Sequence, residues 1–363
     1  MRIPRPAVRL GLVGALFLGC SSGASDGGAA DDQSVPVIDL AAPPGSDLAV
    51  ARGSDLAAPP AGGLFPPGAP WTQDVSQAAL DKNSAAIIAW LKNAGGWGNG
   101  NKLQIDFSIN VLQADQKAPF LAFNPTGDFY SPDCDHVPVP VPAGGALEGE
   151  QGYSCTQDGD CHLIVIHQPT RKLYEMWRAD ITNGVFNGGC LAVWDLTRLY
   201  PPSGRGEQCT SADAGGFPMA ALLFNADEVA AGHIDHAIRF ILPNSRILKK
   251  TYVHPATHAT SSSGTGSAPP YGVHLRLRAN YPLANLPNDA ARTVARALQK
   301  YGMFLSDGGN IALTAQNDRF TTAKWANLNF DSHSLFGIQV TDFEVLDSGP
   351  QLSFQGNCVR NPF

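Results

Sequence analysis

From residue 70 onward the apolar residues come in short pieces rather than long stripes. Residues 103–112, 161–167, 172–179, 189–196, 237–242, 273–277, 311–315 and 337–345 each alternate or run apolar, bounded by Gly, Pro, Asn or Asp. A period of two with frequent turn residues predicts strands. Helical spacing occurs twice. Residues 83–92 carry it and stop before Gly95-Gly96. Residues 289–301 carry it with Asn288 as N-cap, Val294, Ala297 and Leu298 on one face and Gly302 just beyond. Residues 303–305 then read as a strand, and Asp307-Gly308-Gly309 as the turn that reverses it. The pattern predicts one mainly-β domain over 71–363, a sandwich or jelly-roll-like body with a few peripheral helices. Residues 261–270 form a Ser/Gly/Pro loop inside it, and a two-domain split at that loop is the alternative.

The first seventy residues differ. Arg2, Arg5 and Arg9 precede an apolar run over 10–19, and Phe17-Leu18-Gly19 leads into Cys20. Residues 1–19 therefore read as a lipoprotein signal peptide, too short to span a bilayer as a helix, with Cys20 as the lipidated N-terminus. Ser21 follows, which by resemblance to Gram-negative lipoproteins implies outer-membrane sorting, facing the periplasm or the surface. An ordinary cleaved signal is the alternative. Residues 20–70 read as a tether: Gly-Ser-Asp-Leu-Ala at 45–49 recurs at 53–57, and such small residues and prolines cannot build a core.

Charge and cysteine content narrow the function. The 363 residues hold 25 Lys and Arg against 32 Asp and Glu, and removing Arg2, Arg5 and Arg9 leaves 22 against 32. With no basic cluster outside the signal, nucleic-acid binding is disfavoured, and the membrane is reached through the lipid anchor only. Setting Cys20 aside leaves Cys134, Cys155, Cys161, Cys190, Cys209 and Cys358, an even number in an exported chain, so three disulfides are expected. Cys190–Cys209, bracketing Pro201-Pro202-Ser203-Gly204, is the best single pair from sequence. Cys-x-x-Cys spacing for thiolate zinc is absent.

Asp160 and His162 stand two apart on an expected strand and would share one face. Glu175 and Trp177 would share a face of the next strand, with Arg178 opposite unless a bulge intervenes. An aromatic ring beside carboxylates suits a sugar: the ring stacks on its C–H face, and the acids serve its hydroxyls or protonate a glycosidic oxygen. A solvent-facing strand side with an ordinary core Trp is the bland alternative. Asp213, in Ser211-Ala212-Asp213-Ala214-Gly215-Gly216, would pair with Glu175 as the two carboxyl groups of glycoside hydrolysis, or else cap a turn. His233 and His236, His254 and His258, and then His274 have spacings that would suit zinc on helices, but strand-like and Pro-flanked contexts argue against a metal, and no cofactor is expected. His236 fits better beside His162 in a polar network. A Ser-His-Asp hydrolase built on Ser211 lacks the nucleophile elbow, and Gly95–Gly100 lacks the context of a phosphate loop.

Asp160-Cys161-His162-Leu163-Ile164-Val165, Leu173-Tyr174-Glu175-Met176-Trp177-Arg178, Thr210-Ser211-Ala212-Asp213-Ala214-Gly215-Gly216-Phe217-Pro218 and Gly232-His233-Ile234-Asp235-His236-Ala237-Ile238-Arg239-Phe240 are four motifs carried by 155–347. Together with Lys300-Tyr301-Gly302-Met303 and Asp342-Phe343-Glu344-Val345, they resemble a functionally unassigned family of secreted bacterial proteins. The resemblance implies an extracellular domain and carries no chemistry with it.

The sequence thus reads as a surface-anchored carbohydrate-active enzyme, hydrolase or lyase, acting on an extracellular polysaccharide. His162, Glu175, Asp213 and His236 are the candidate catalytic groups. Asp160, Trp177, Arg178 and His258 are the candidate substrate-binding groups, with Arg178 or a protonated His for an acidic sugar's carboxylate. The alternative is a noncatalytic binding module for a carbohydrate or a partner on the cell surface.

Overall fold

Two larger sheets, accompanied by four small ones among the described residues, carry the core, and a one-residue break sends the chain from one large sheet to the other. The computed structural model describes residues 63–157 and 159–362, so the signal peptide, Cys20 and nearly all of the tether lie outside the described residues. Strands β1 (Ile105–Ile109) and β2 (Val111–Ala114) are separated by Asn110 alone, yet enter different sheets. The smaller sheet adds β3 (Leu163–His167), β4 (Lys172–Met176) and β5 (Leu191–Asp195), in the order β5-β4-β3-β2. The larger adds β6 (Ile238–Leu242), β7 (His274–Leu277), β8 (Met303–Gly308), β9 (Leu313–Gln316) and β10 (Phe343–Val345), in the order β1-β9-β6-β8-β7-β10. Pairings β1–β9, β6–β8 and β2–β3 are parallel, and the rest are antiparallel.

Strands β3 and β4 pair across Gln168–Arg171, with Leu163 opposite Met176 and His167 opposite Lys172. Alternation then sorts the smaller sheet's side chains. Ile164, Ile166, Leu173, Ala192 and Trp194 join one core with Phe224, Ile238, Phe240 and Leu313 of the larger-sheet side. Leu163, Val165, Tyr174, Met176 and Leu191 face a second core with Phe123, Val139, Leu147 and Phe186. Burial on both faces explains why β3 reads as an unbroken apolar run.

Helix α1 (Ser84–Asn93) and helix α3 (Asp289–Lys300) lie where the spacing predicts, and Asn288 accepts the Ala291 N–H at 2.8 Å as the N-cap of α3. Between them α2 (Ala226–Ala231) starts from a capping box of Asn225 and Glu228, an N-terminal signal present in the sequence. Gly302 turns α3 into β8 at φ +70°, and a Cβ there would stand 2.5 Å from the Leu275 carbonyl oxygen. Asp307-Gly308-Gly309 does not close a hairpin: β9 continues on the far side of β6. Residues 261–270 are no domain boundary, since Gly264 bonds through its N–H to Ile247 O and through its O to Lys249 N–H. The packed body begins before residue 71, because Phe65 is buried with its ring centroid 5.0 Å from that of Trp71.

Three disulfides form, as the even cysteine count predicts, but the proposed Cys190–Cys209 pair does not. Cys190 bonds Cys134, Cys209 bonds Cys358, and Cys155 bonds Cys161. Residue 135 binds Leu191 through Asp135 N–H to Leu191 O at 2.7 Å, which lays Cys134 beside Cys190. Gly206–Glu207 pairs antiparallel with Val359–Arg360, which brings Cys358 to Cys209. Neither neighbour is close in sequence, so a bracketed turn was the wrong guide. This framework belongs to an oxidising, extracytoplasmic environment. No described helix is long and apolar enough to cross a membrane.

Candidate functional site

The loop at 211–216 is held open by its own polar atoms. Ser211 Oγ accepts the Asp213 N–H at 3.0 Å and donates to Phe217 O at 2.7 Å. Gly216 sits at φ +82°, where a Cβ would stand 2.1 Å from Thr257 Oγ1. Two imidazoles cap the carbonyls on either side of Asp213: His162 Nε2 donates to Ala212 O at 3.0 Å, and His258 Nδ1 donates to Ala214 O at 2.7 Å.

Behind the loop runs a buried ionic chain between the sheets. His162 Nδ1 lies 2.6 Å from Glu148 Oε2, and Ser108 of β1 donates to the other Glu148 oxygen at 3.1 Å. Both ring nitrogens of His162 therefore face acceptors, which only the imidazolium can satisfy. Burial opposes that charge, but Glu148 outweighs it and holds the His162 pKa at about 9. Burial alone would raise Glu148, and the His162 charge instead brings it to about 2. Arg239 of β6 is the second cation. Its Nη2 reaches Asp213 Oδ1 at 2.8 Å and Asp307 Oδ2 at 3.1 Å, and its Nη1 donates to Thr314 Oγ1 at 2.8 Å. An arginine inside an otherwise apolar strand is thus explained by two carboxylates sharing one nitrogen.

The loop and the end of β8 wall a cleft of about 780 Å³. Asp160, Trp177, Lys250, His258, Asp307 and Phe354 line it. Trp177 Nε1 donates to Asp160 Oδ1 at 3.0 Å, which fixes the indole. Phe129 and Tyr130 add aromatic surface. Asp307 is the group that joins cleft to ionic chain: only a quarter of its side chain is exposed, and burial together with nearby Asp213 pushes its pKa well above the usual carboxylate range, against Arg239.

The sequence-singled residues therefore divide. Asp160, Trp177 and His258 line the cleft. His162 is buried behind the loop that walls it, and Asp213 is a buried member of that loop. Arg178 flanks Trp177 at φ +58° and ion-pairs with Asp128 at 3.8 Å. Asp160 and His162 do not share a strand face, because Cys161 at φ +49° breaks the extended chain and β3 begins only at Leu163. Glu175 alternates into the core between the sheets, where its carboxylate accepts from Trp194 Nε1 at 3.1 Å and Ala220 N–H at 2.8 Å; burial pushes it up to about 7. Asp213 is committed to Arg239, so Glu175 and Asp213 do not meet as two acids over a ligand. His236 stands apart from His162, with Nδ1 on Ala237 O at 2.8 Å and Nε2 on Glu228 Oε1 at 3.2 Å.

Glu148, Arg239, Asp307 and Phe354 are the site residues that sequence reasoning missed. For Arg239 the signal was present, a lone charge in the apolar strand Ile238–Leu242. Asp307 was hidden in a turn motif. Glu150, Cys155 and Cys161 put ligand-type atoms within 4.8 Å of one another, but both sulfurs are spent in a disulfide and Glu150 already accepts from Thr156 and Gln157, so thiolate metal binding does not fit. No family model, curated protein or solved structure matches the chain.

Proposed function

We propose that this protein is a lipid-anchored carbohydrate-active enzyme of the cell envelope that cleaves an extracellular polysaccharide in the cleft beside Asp307. The observation that carries the reading is Asp307 itself, a carboxyl group at the cleft wall whose pKa is raised by burial and by Asp213 while Arg239 fixes its orientation. A proton held near neutral pH is what a general acid delivers to a leaving glycosidic oxygen. Trp177, fixed by Asp160, supplies the stacking face for a sugar ring, and Asp160 accepts hydrogen bonds from its hydroxyls. In this reading Glu175 and His236 are structural, and Asp213 acts through Arg239. Cys20 and the tether would hold the cleft out from the outer membrane.

The test is release of reducing ends or unsaturated products from a panel of soluble polysaccharides. Asp307→Asn should lower turnover by about two to four orders of magnitude while the protein still folds. Unchanged turnover in that variant would remove Asp307 from the chemistry. Saturable binding with no product from the wild type would make the aromatic cleft a binding module instead.

A further inference from the structure

An acid in the cleft needs a partner that takes up a proton, and the histidines differ in whether they can. His162 and His236 each present both ring nitrogens to acceptors, so each is locked as a cation with no lone pair to offer. His258 is different. A carbonyl oxygen can only accept, so the 2.7 Å bond to Ala214 O places the ring proton on Nδ1 and leaves Nε2 with its lone pair. The ring is held edge-to-face against Phe354, centroids 4.2 Å apart, and it lines the same cleft as Asp307.

Resting on the glycan-cleaving reading above, we propose that His258 Nε2 is the general base of this cleft and that Asp307 is its acid, together hydrolysing a glycosidic bond by direct displacement. Nε2 takes a proton from water, the water oxygen bonds to the anomeric carbon, and the glycosidic C–O bond breaks as Asp307 gives its proton to the departing oxygen. The imidazolium then returns its proton to Asp307 through solvent. Burial lowers the His258 pKa, opposed by the Ala214 bond and the Asp133 carboxylate, so the ring is neutral at pH 7. Asp133, Asp160, Lys250, Asp307 and the Tyr130 phenol are the other ionisable groups that line the cleft. An acid raised and a base lowered are both in their working forms near neutral pH.

His258→Asn separates position from chemistry, because an Asn amide can still donate to Ala214 O but has nothing in place of Nε2. On whichever polymer of a neutral, amino and uronate polysaccharide panel the wild type cleaves, this variant should fold normally and lose about two to four orders of magnitude in turnover. Added imidazole should restore part of it, and the new reducing end should appear inverted. Nitrogen NMR of the full chain without ligand should show His258 protonated on Nδ1 and titrating below 6.5. Wild-type turnover in His258→Asn, retention of anomeric configuration, or a proton on Nε2 overturns the inference alone. Wild-type protein that cleaves no polymer overturns the functional reading and the inference with it.

Discussion

The two sides of the 211–216 loop are built from the same kind of contact and do opposite things. On the inner side His162 caps Ala212 O and also meets a carboxylate. On the cleft side His258 caps Ala214 O and meets none at its other nitrogen among the hydrogen bonds of the described residues. The first imidazole is spent as a structural cation and the second stays neutral. Second acceptors therefore decide role here, and residue type does not. The same holds for the carboxylates: Asp213 is buried on Arg239, whereas Asp307 uses that arginine and still reaches the cleft.

The comparison breaks most severely at Arg239. Arg239→Leu leaves Asp213 buried beside Asp307 with no counter-charge, and the expected loss of stability is about 3–5 kcal/mol. Chemical denaturation would measure it, and a loss below about 1 kcal/mol would show that the inner side is not held by this ion. A middle-sized effect should follow pH. His162 is raised from 6.5 to about 9, so its contribution is complete below 6.5 and is lost as pH climbs through 9. Glu175, raised from 4.5 to about 7, costs stability as pH rises across that interval, in the same direction. Glu148 contributes above 4.5 and fails only as pH falls through about 2. Stability should therefore be greatest near pH 5 and decline by the order of 1–3 kcal/mol by pH 9. Glu148→Gln should flatten the upper part of that decline, and an unaltered profile in this variant would dissolve the pairing. The smallest stability effect belongs to the cleft side. Asp160→Ala frees the Trp177 indole and should move the unfolding midpoint by no more than about 2 °C while weakening ligand binding. A larger shift would assign Asp160 to the inner, structural side.

Local patterns foretold local structure well. Most strands, α1, α3 and the Asn288 cap follow from alternation, helical spacing and turn residues, because those forces act within a few positions, whereas only Phe343–Val345 of the expected 337–345 strand forms and 103–112 splits at Asn110. The mainly-β domain with few helices follows in turn. Partners set by the fold did not follow. Cys209 finds Cys358 across 149 residues, and Arg239 gathers Asp213 and Asp307 from separate segments. Alternation placed Glu175 on a definite face of β4, but only the second sheet makes that face an interior. At Cys161 and Arg178 the strand rule ends because both adopt positive φ, and nothing in their side chains announces it.

Phe354 and Gly356 form part of the cleft, and the segment bearing them is fastened by the Cys209–Cys358 bond, the Glu207–Val359 pairing and Arg360 on Asp135 at 2.9 Å. Both sheets are complete once residue 345 has joined β10. A chain emerging from a translocation channel can thus assemble its entire scaffold before this wall exists. Completion of the cleft wall therefore waits on the last segment of the chain and on the Cys209–Cys358 bond that fastens it.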